Sequence, residues 1–254
     1  MARTRRKQSS TGIYHVMIRG NNHQLLFEEQ EDYEYFLSKL EYYQNKFGCK
    51  VYAYCLMDNH VHLLMKAGKI GISNFMKRLQ NAYVYWFNNK YHRVGHLFQG
   101  RFKSEPVETE KYFVTVIRYI HYNPVKAGIV TRCCDYQYSS YNEYIHHGGS
   151  ITSTSLCLSI TGNQGFIEFH KSAGSDECLD ISSNTRWYLT DSAAIQYIKS
   201  VINSSSVSDI LSMPAKIRNS LIRNFRNHGL SIHQISRLTG ISIYTIKHQA
   251  PTND

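Results

Sequence analysis

The sequence predicts an α+β fold in which helices pack on an antiparallel sheet. Short segments rich in β-branched and aromatic residues alternate with longer segments whose apolar residues recur at helical spacing. Two of the strand-like segments are separated only by the turn Asp58-Asn59, which makes them antiparallel neighbours. Hydrophobic residues make up 42% of the 254-residue chain, enough to build a packed core. Such a mixture is typical of helices lying on an antiparallel sheet.

The predicted elements follow the order strand, helix, strand, strand, helix, strand, helix. They span Gly12–Arg19, Glu31–Phe47, Lys50–Met57, His60–Lys66, Ile72–Asn89, Phe102–Val107 and Thr109–Tyr122. Gly48 is expected to end the first helix. Asn123-Pro124 is expected to end the third, because proline lacks an amide donor and its ring clashes with the preceding turn. This order resembles a ferredoxin-like arrangement.

Beyond residue 130 the pattern weakens. The stretch 148–184 is rich in Ser, Thr and Gly, and we predict a linker with short helices there. From Thr190 onward the helical pattern returns. We therefore predict a catalytic domain over residues 1–145, an irregular linker over 146–189 and a mostly α-helical C-terminal domain over 190–254.

The C-terminal segment predicts a helix-turn-helix. Ser231 and Ser242 are expected to cap two short helices, and Gly240 to form the turn between them. Exposed residues of the second helix would then contact a DNA groove: Tyr244, Thr245, Lys247 and His248. A small three-helix bundle that binds protein is the alternative.

The net charge is +10, with a pI near 9.2, and it is unevenly distributed. Residues 1–132 carry 20 Lys and Arg against 10 Asp and Glu, residues 133–213 carry 3 against 8, and residues 214–254 carry 6 against 1. Two separate basic segments suggest two surfaces that meet a polyanion. Basic residues that only keep the protein soluble are the alternative.

Six cysteines include no C-x-x-C pair, so neither a zinc ribbon nor a disulfide framework is expected. No window approaches the roughly 18 apolar residues of a membrane span. The basic N-terminal segment MARTRRKQSSTG lacks an apolar stretch. We therefore expect a cytoplasmic, nucleoid-associated protein without a membrane partner.

His60 and His62 form the first chemical motif. Alternate side chains of a strand share a face, so the two imidazoles would stand about 7 Å apart and could bind one divalent cation. Taken alone, an H-x-H pair is more often a hydrogen-bonded pair within a sheet.

Tyr119 and Asn123 form the second motif. At positions i and i+4 of a helix they are neighbours on one face, so a phenol nucleophile and a carboxamide ligand would lie side by side. The alternative is a packing tyrosine and an ordinary helix end. Tyr112 and Tyr122 lie on other faces, with Tyr122 about 300° from Tyr119.

The sequence resembles a known family. The segments YHVMIRGNN, YCLMDNHVHLLM, GHLFQGRFKS and RYIHYNPVKAGIV are similar to motifs of the single-tyrosine transposases of the HUH-endonuclease superfamily, closest to the REP-associated tyrosine transposases. The resemblance covers roughly residues 10–145. It implies a ferredoxin-like core, single-stranded DNA cleavage, His60 and His62 as metal ligands, and Tyr119 as nucleophile. Asn123 occupies the position of a metal-coordinating amide that is often Gln in relatives.

The implied chemistry explains the residue types. Tyr119 would attack a DNA phosphorus and leave a 5′-phosphotyrosine and a free 3′-hydroxyl. Free tyrosine has a pKa near 10, so nearby positive charge is needed to stabilise the phenolate. The cation, Mg²⁺ or Mn²⁺, would polarise the phosphate. Two imidazoles favour softer metals than Mg²⁺, which leaves the metal's identity open.

Basic residues near these motifs are expected to contact phosphates, which gives affinity without sequence preference. Four would form an N-terminal arm, and four flank the catalytic motifs: Arg3, Arg5, Arg6 and Lys7, then Arg19, Arg101, Lys103 and Lys126. A solvated tail is the alternative for the arm.

These observations predict a metal-dependent single-stranded DNA endonuclease and strand transferase that acts on hairpin or repeat DNA. One alternative is a non-catalytic regulator that binds DNA through the helix-turn-helix. Another is a phosphodiesterase that uses water as nucleophile. The target sequence, the choice between monomer and homodimer, and the cis or trans placement of the tyrosine helix stay open.

Overall fold

The computed structural model describes residues 6–146, 148–171, 178–179, 191–230 and 232–248. Four strands are β1 (Ile13–Arg19), β2 (Lys50–Met57), β3 (His60–Lys66) and β4 (Lys103–Pro106). The helices of the N-terminal part are α1 (Gln30–Phe47), α2 (Ile72–Lys90), α3 (Glu110–Lys126), α4 (Tyr141–Ile145) and α5 (Ser155–Lys171). The C-terminal helices are α6 (Asp191–Ile202), α7 (Ala215–Asn227), α8 (Ile232–Thr239) and α9 (Ile243–His248).

The four strands form one sheet in the order β2-β3-β1-β4, and all three neighbouring pairs are antiparallel. Helix α1 connects β1 to β2, and α2 connects β3 to β4. The α+β class and the ferredoxin-like order predicted from the sequence are therefore confirmed. Strands β1 and β3 are central, so each pairs with a strand on both sides.

Helices cover both faces of this sheet. Val16 and Leu63 face α1 and α2, where they join the first apolar core. Leu64 and Cys55 face the other way and join a second core with α3 and α5. Since side chains alternate along a strand, His62 lies on the same face as Leu64, beneath α3.

Helix α3 runs past the point where we expected it to end. It continues to Lys126 with Pro124 inside it, so the predicted end at Asn123-Pro124 is wrong. Pro124 cannot donate to the carbonyl of Ile120. The Asn123 side-chain amide lies 3.5 Å from that carbonyl oxygen and donates to the carbonyl of Tyr119 at 2.8 Å. The side chain of Asn123 thus supplies a hydrogen-bond donor next to the proline, which has none, and the helix continues past it.

Helix α5 lies within the segment predicted as an irregular linker. It packs against α3 through the buried Phe166 and Cys157. Its two helical segments meet at Gly162, whose φ of 67° suits glycine. The predicted boundaries at 145 and 189 stay a proposal.

The C-terminal helices bury a core of their own, which includes Ile198, Phe225 and Ile235. Arg237 of α8 forms an ion pair with Glu28, next to the start of α1. Among the described residues, none of the helices is both long and apolar enough for a membrane crossing.

Candidate active site and nucleic-acid interface

His60 and His62 lie on β3, where β1 pairs with it in the register Arg19 to His60 and Met17 to His62. His62 is completely buried, whereas His60, at the strand end, is partly exposed. Their ring centroids lie 5.1 Å apart at an angle of 85°. The two imidazoles share one face of the sheet, as predicted.

Tyr119 packs directly on this pair. Its ring centroid lies 5.6 Å from that of His62, edge to face, and the residue is 5% exposed. Tyr119 is on α3, which crosses the face of the sheet that carries His62. The fold thus brings the predicted nucleophile to the predicted metal ligand, although they are 57 positions apart in the sequence.

A third histidine completes the cluster. His15 of β1 is fully buried, and its Nε2 lies 3.0 Å from Nδ1 of His62. Its ring also meets that of Tyr119, with centroids 5.8 Å apart at 68°. Because β1 pairs with β3, alternate side chains of the two strands lie next to each other on the same face of the sheet.

The turn before β3 fixes the first imidazole. His60 Nδ1 lies 2.7 Å from Oδ1 of Asn59, and this amide oxygen can only accept, so Nδ1 is the donor. The backbone of the same turn accepts from Gly20, whose N–H donates to the carbonyl of Asn59 at 2.8 Å. The lone pair of His60 therefore resides on Nε2.

Asp58, the one acidic residue beside the histidines in sequence, is engaged elsewhere. Its Oδ1 accepts from the hydroxyl of Tyr33 on α1 at 2.8 Å. Burial raises the pKa of Asp58, and the Tyr33 hydrogen bond partly opposes this. Helix α1 covers the face of the sheet opposite Tyr119. Asp58 therefore contacts α1 on that face and does not join the cluster of histidines and Tyr119.

Asn123 is buried on α3, one turn after Tyr119. Its amide nitrogen donates to the helix backbone, so the amide oxygen is the atom that it can offer to a cation. Among the described residues, no three His, Cys, Asp or Glu side chains are arranged to bind a metal ion. Imidazole nitrogens and an amide oxygen are ligand types that divalent cations accept, so these residues fit such a cation by their chemistry.

The competing tyrosines lie in different surroundings. Tyr112 donates its hydroxyl to Glu105 at 2.8 Å, and burial together with that carboxylate raises its pKa well above the usual value. Tyr122 is half-buried on another face of α3. Of these three residues, Tyr119 is the one that contacts the histidines.

A basic groove runs along α2 and the segment before β4. It consists of two adjoining cavities of about 780 and 440 Å³, both lined by Arg6, Ser73 and Arg101. Further lining residues are Lys7, Lys77 and the amides of Asn21, Gln80 and Asn81. No acidic residue occurs among the described residues that line either cavity.

Arg6 is packed in this groove. Its guanidinium lies 3.7 Å from the ring centroid of Phe102 and donates to the carbonyl of Phe102 and to Ser73 Oγ, both at 3.2 Å. Burial, and then the charge of Arg101, lower its pKa. Two guanidinium groups without an acidic partner in the lining favour an anionic ligand.

The other predicted phosphate contacts are spread around the cluster. Arg19 lies at the end of β1 opposite His60, and Lys103 is exposed on the edge strand β4. Lys126 places its Nζ 5.6 Å from the ring centroid of Tyr119. Arg3 and Arg5 lie outside the described residues.

Residues 8–123 match the family model described as "Transposase IS200 like". This segment is an IS200-like transposase domain. It contains the three histidines and Tyr119, and its last matched residue is Asn123.

Two relatives extend this result. A curated Haemophilus influenzae protein, named as a REP-associated tyrosine transposase, is 30% identical over 101 residues, which are 35% of this chain and 57% of that protein. The match thus spans little more than half of the relative. A solved structure of a REP-associated tyrosine transposase bound to a REP hairpin has a TM-score of 0.51 and 17% identity, and covers 61% of this chain and 96% of its own. At this identity it supports the fold alone.

A structure from Deinococcus radiodurans R1, also named as a transposase, is 22% identical and covers 47% of this chain and 95% of its own. Its TM-score of 0.33 is too low to support an argument.

Sequence reasoning missed His15 in the IS200-like transposase domain. The signal was its place in the strand YHVMIR, on the face that also carries Met17. What the pattern lacked was the register of β1 against β3, which brings His15 diagonally next to His62.

The predicted helix-turn-helix lies beyond the IS200-like transposase domain. Gly240, with φ of 76°, separates α8 from α9, and Ser242 Oγ accepts from the backbone N–H of Thr245 at 3.1 Å, as a cap does. Tyr244 is 72% exposed and Thr245 is half-buried. Ser231 and the side chains of Lys247 and His248 lie outside the described part of the chain. A role in DNA binding stays a prediction.

Proposed function

We propose that the chain is a DNA-nicking and strand-transfer enzyme that cleaves single-stranded DNA through Tyr119, at hairpin or repeat sequences. The observation that carries this proposal is the contact between Tyr119 and His62, whose ring centroids lie 5.6 Å apart. The IS200-like segment and a structural relative that binds a REP hairpin support it.

In the proposed step the Tyr119 oxygen bonds to the scissile phosphorus and the bond from phosphorus to the 3′-oxygen breaks. The electron pair of that bond goes to the 3′-oxygen, which takes a proton and leaves as a hydroxyl, while the phenol gives up its proton. The 5′-phosphotyrosine conserves the phosphodiester, so a 3′-hydroxyl can later reverse the reaction and join strands.

His60, His62 and Asn123 are the proposed ligands of a divalent cation, Mg²⁺ or Mn²⁺. When bound, such a cation polarises the scissile phosphate. Lys126 would contribute a positive charge beside the nucleophile, since its Nζ lies 5.6 Å from the Tyr119 ring centroid. A charge at this position stabilises both the phenolate and the phosphate oxygens.

The proposed DNA path follows the basic groove. Its lining includes Asn21, which follows Gly20, and Gly20 donates to the turn that precedes His60. One end of the groove is therefore formed next to the segment that contacts this turn. From there the DNA would pass around the end of β1 to reach the histidine cluster, which lies on the other face of the sheet. Arg6, Lys7 and Arg101 would contact phosphates, whereas the amides of the lining can bond to base edges.

The C-terminal helices are proposed to bind duplex DNA. Helix α9 exposes Tyr244, and residues 214–254 carry six basic residues and one acidic residue. Phosphate neutralisation of this kind supports binding to a polyanion.

The test uses hairpin DNA from the flanks of the gene, labelled at its 3′ end because the strand beyond the cut stays on the protein. Wild type, Tyr119→Phe and the control Tyr112→Phe are incubated with Mg²⁺ or Mn²⁺ and resolved on a denaturing protein gel. We expect label on wild type and Tyr112→Phe, none on Tyr119→Phe, and loss of the label with EDTA.

Two other results would overturn the covalent mechanism. Free cleaved DNA from both wild type and Tyr119→Phe would identify water as the nucleophile. Binding of the hairpin without cleavage by any of the three proteins would favour the DNA-binding regulator.

A further inference from the structure

His15 and His62 approach each other through one nitrogen of each ring. Nε2 of His15 lies 3.0 Å from Nδ1 of His62, and both residues are fully buried. At this distance the two nitrogens share one proton, so one of them donates and the other accepts. The neutral pair can therefore exist in two arrangements.

The arrangements differ at the opposite nitrogen of His62. If Nδ1 of His62 donates to His15, the lone pair of His62 resides on Nε2. If His15 donates instead, Nδ1 of His62 holds the lone pair and Nε2 carries the proton. Only the first arrangement makes Nε2 a metal ligand, because a cation needs the lone pair.

His60 has the corresponding tautomer, fixed by a different hydrogen-bond partner. Its Nδ1 donates to the amide oxygen of Asn59 at 2.7 Å, which leaves the lone pair on Nε2. With His15 as acceptor, the two imidazoles on β3 would both present Nε2. An acceptor behind each metal-binding histidine is the usual way in which proteins fix ring orientation and tautomer.

We propose that His15 is a positioning residue that accepts a hydrogen bond from His62 Nδ1 and thereby holds His62 in the tautomer that binds a cation through Nε2. This inference rests on the metal role in the proposed function. His15 is linked to the nucleophile as well, since its ring packs edge to face against Tyr119 at 5.8 Å.

Two substitutions separate the hydrogen bond from the packing. His15→Phe keeps an aromatic ring against Tyr119 but removes the acceptor. His15→Gln places an amide oxygen three bonds beyond Cβ, as far out as Nε2 of histidine, and so restores the acceptor. His60→Ala provides the reference for loss of a proposed ligand.

The first readout is Mn²⁺ affinity of the DNA-free full chain, measured by calorimetry. We expect His15→Phe to lose about 10- to 100-fold, the usual cost of removing a residue that orients a ligand, while His15→Gln stays close to wild type. Hairpin DNA binding should be unchanged in both, since His15 is buried outside the groove. Wild-type Mn²⁺ affinity in His15→Phe would overturn the proposal.

The second readout needs no variant of His15. Long-range ¹H–¹⁵N correlation spectra of the metal-free wild type, with His62 assigned by comparison with His62→Gln, report which ring nitrogen carries the proton. A proton on Nδ1 supports the proposal and a proton on Nε2 overturns it. A Nδ1 proton in a protein without Mn²⁺ affinity would support the tautomer and contradict only the metal role.

Discussion

Nδ1 of His121 lies 3.1 Å from Nε2 of His170, which joins the helix of Tyr119 to α5. The direction of this bond follows from its neighbours. His170 Nδ1 lies 2.8 Å from the carbonyl oxygen of Phe166, which can only accept, so His170 Nε2 accepts from His121. His121 Nε2 in turn accepts from Ser140 Oγ at 2.8 Å. Two residues beyond Tyr119, α3 is thus held by a chain of oriented hydrogen bonds.

Ser140→Ala should destabilise the protein. Ser140 Oγ also accepts from the backbone N–H of Tyr54 at 2.9 Å, so its loss leaves two buried polar groups without this partner. We expect the free energy of unfolding to fall by about 1–3 kcal/mol, measured by urea denaturation. Ser159→Ala is the control, because Ser159 is exposed on α5. Equal stability of the two variants would contradict this account of the hydrogen-bond chain.

Lys126→Ala should slow cleavage more than it weakens DNA binding. The lost charge lies 5.6 Å from the Tyr119 ring centroid, where it would stabilise the charge that develops in the proposed attack. We expect the single-turnover rate to fall about ten-fold, which corresponds to about 1.4 kcal/mol. Lys111→Ala is the matched control, since Lys111 is exposed on the same helix about 12 Å from Tyr119 along the helix axis. An equal effect of both variants would show that only net charge matters.

Arg101→Ala should weaken binding to hairpin DNA of any sequence. Arg101 lines both cavities of the basic groove and is exposed, so its removal costs little packing. We expect the slope of log affinity against log salt to become shallower by about one, measured by fluorescence anisotropy at several salt concentrations. Lys46→Ala, on the exposed face of α1, removes the same charge elsewhere. An unchanged slope in Arg101→Ala would exclude the groove as the phosphate path.

Asn123→Ala should loosen α3 around Pro124. The Asn123 amide donates to the carbonyl of Tyr119 and approaches that of Ile120, to which Pro124 cannot donate because it has no N–H. We expect the free energy of unfolding, measured by urea denaturation, to fall by about 1 kcal/mol. Asn74→Ala is the control, because it removes an exposed side-chain hydrogen bond to the carbonyl of Ile70 and should have a smaller effect. Stability equal to wild type would refute this helix role. A concurrent loss of Mn²⁺ affinity would support its proposed role as a ligand.

The local elements of the fold could be predicted because their signals are local. The alternation of side chains along a strand placed His60 and His62 on one face of β3, and helical spacing placed Tyr119 and Asn123 on one face of α3. The contact between His62 and His15 could not be predicted, because it depends on strand pairing between residues 47 positions apart. The continuation of α3 past Pro124 was not predicted, because it involves hydrogen bonds from the Asn123 side chain to the helix backbone, which the proline rule does not consider.

Helix α5 was missed for a different reason. Its sequence, SLCLSITGNQGFIEFHK, contains two glycines and several Ser and Thr residues, which predict a loop. What stabilises it is burial of Phe166 and His170 against α3 and α4, where Phe166 stacks on Tyr144 with centroids 4.6 Å apart. Tertiary packing of this kind overrides weak helix propensity.

The edges of the sheet have a consequence for assembly. Strand β4 spans four residues, carries the exposed Lys103 and ends at Pro106, which has no amide hydrogen. Along β2, the backbone of Leu56 donates to Tyr138 and that of Val51 accepts from Ser153. One edge is therefore short and charged and the other is already occupied, which disfavours strand addition by a second copy. Two copies that associate would have to meet through helices or loops, and neither sheet would be extended.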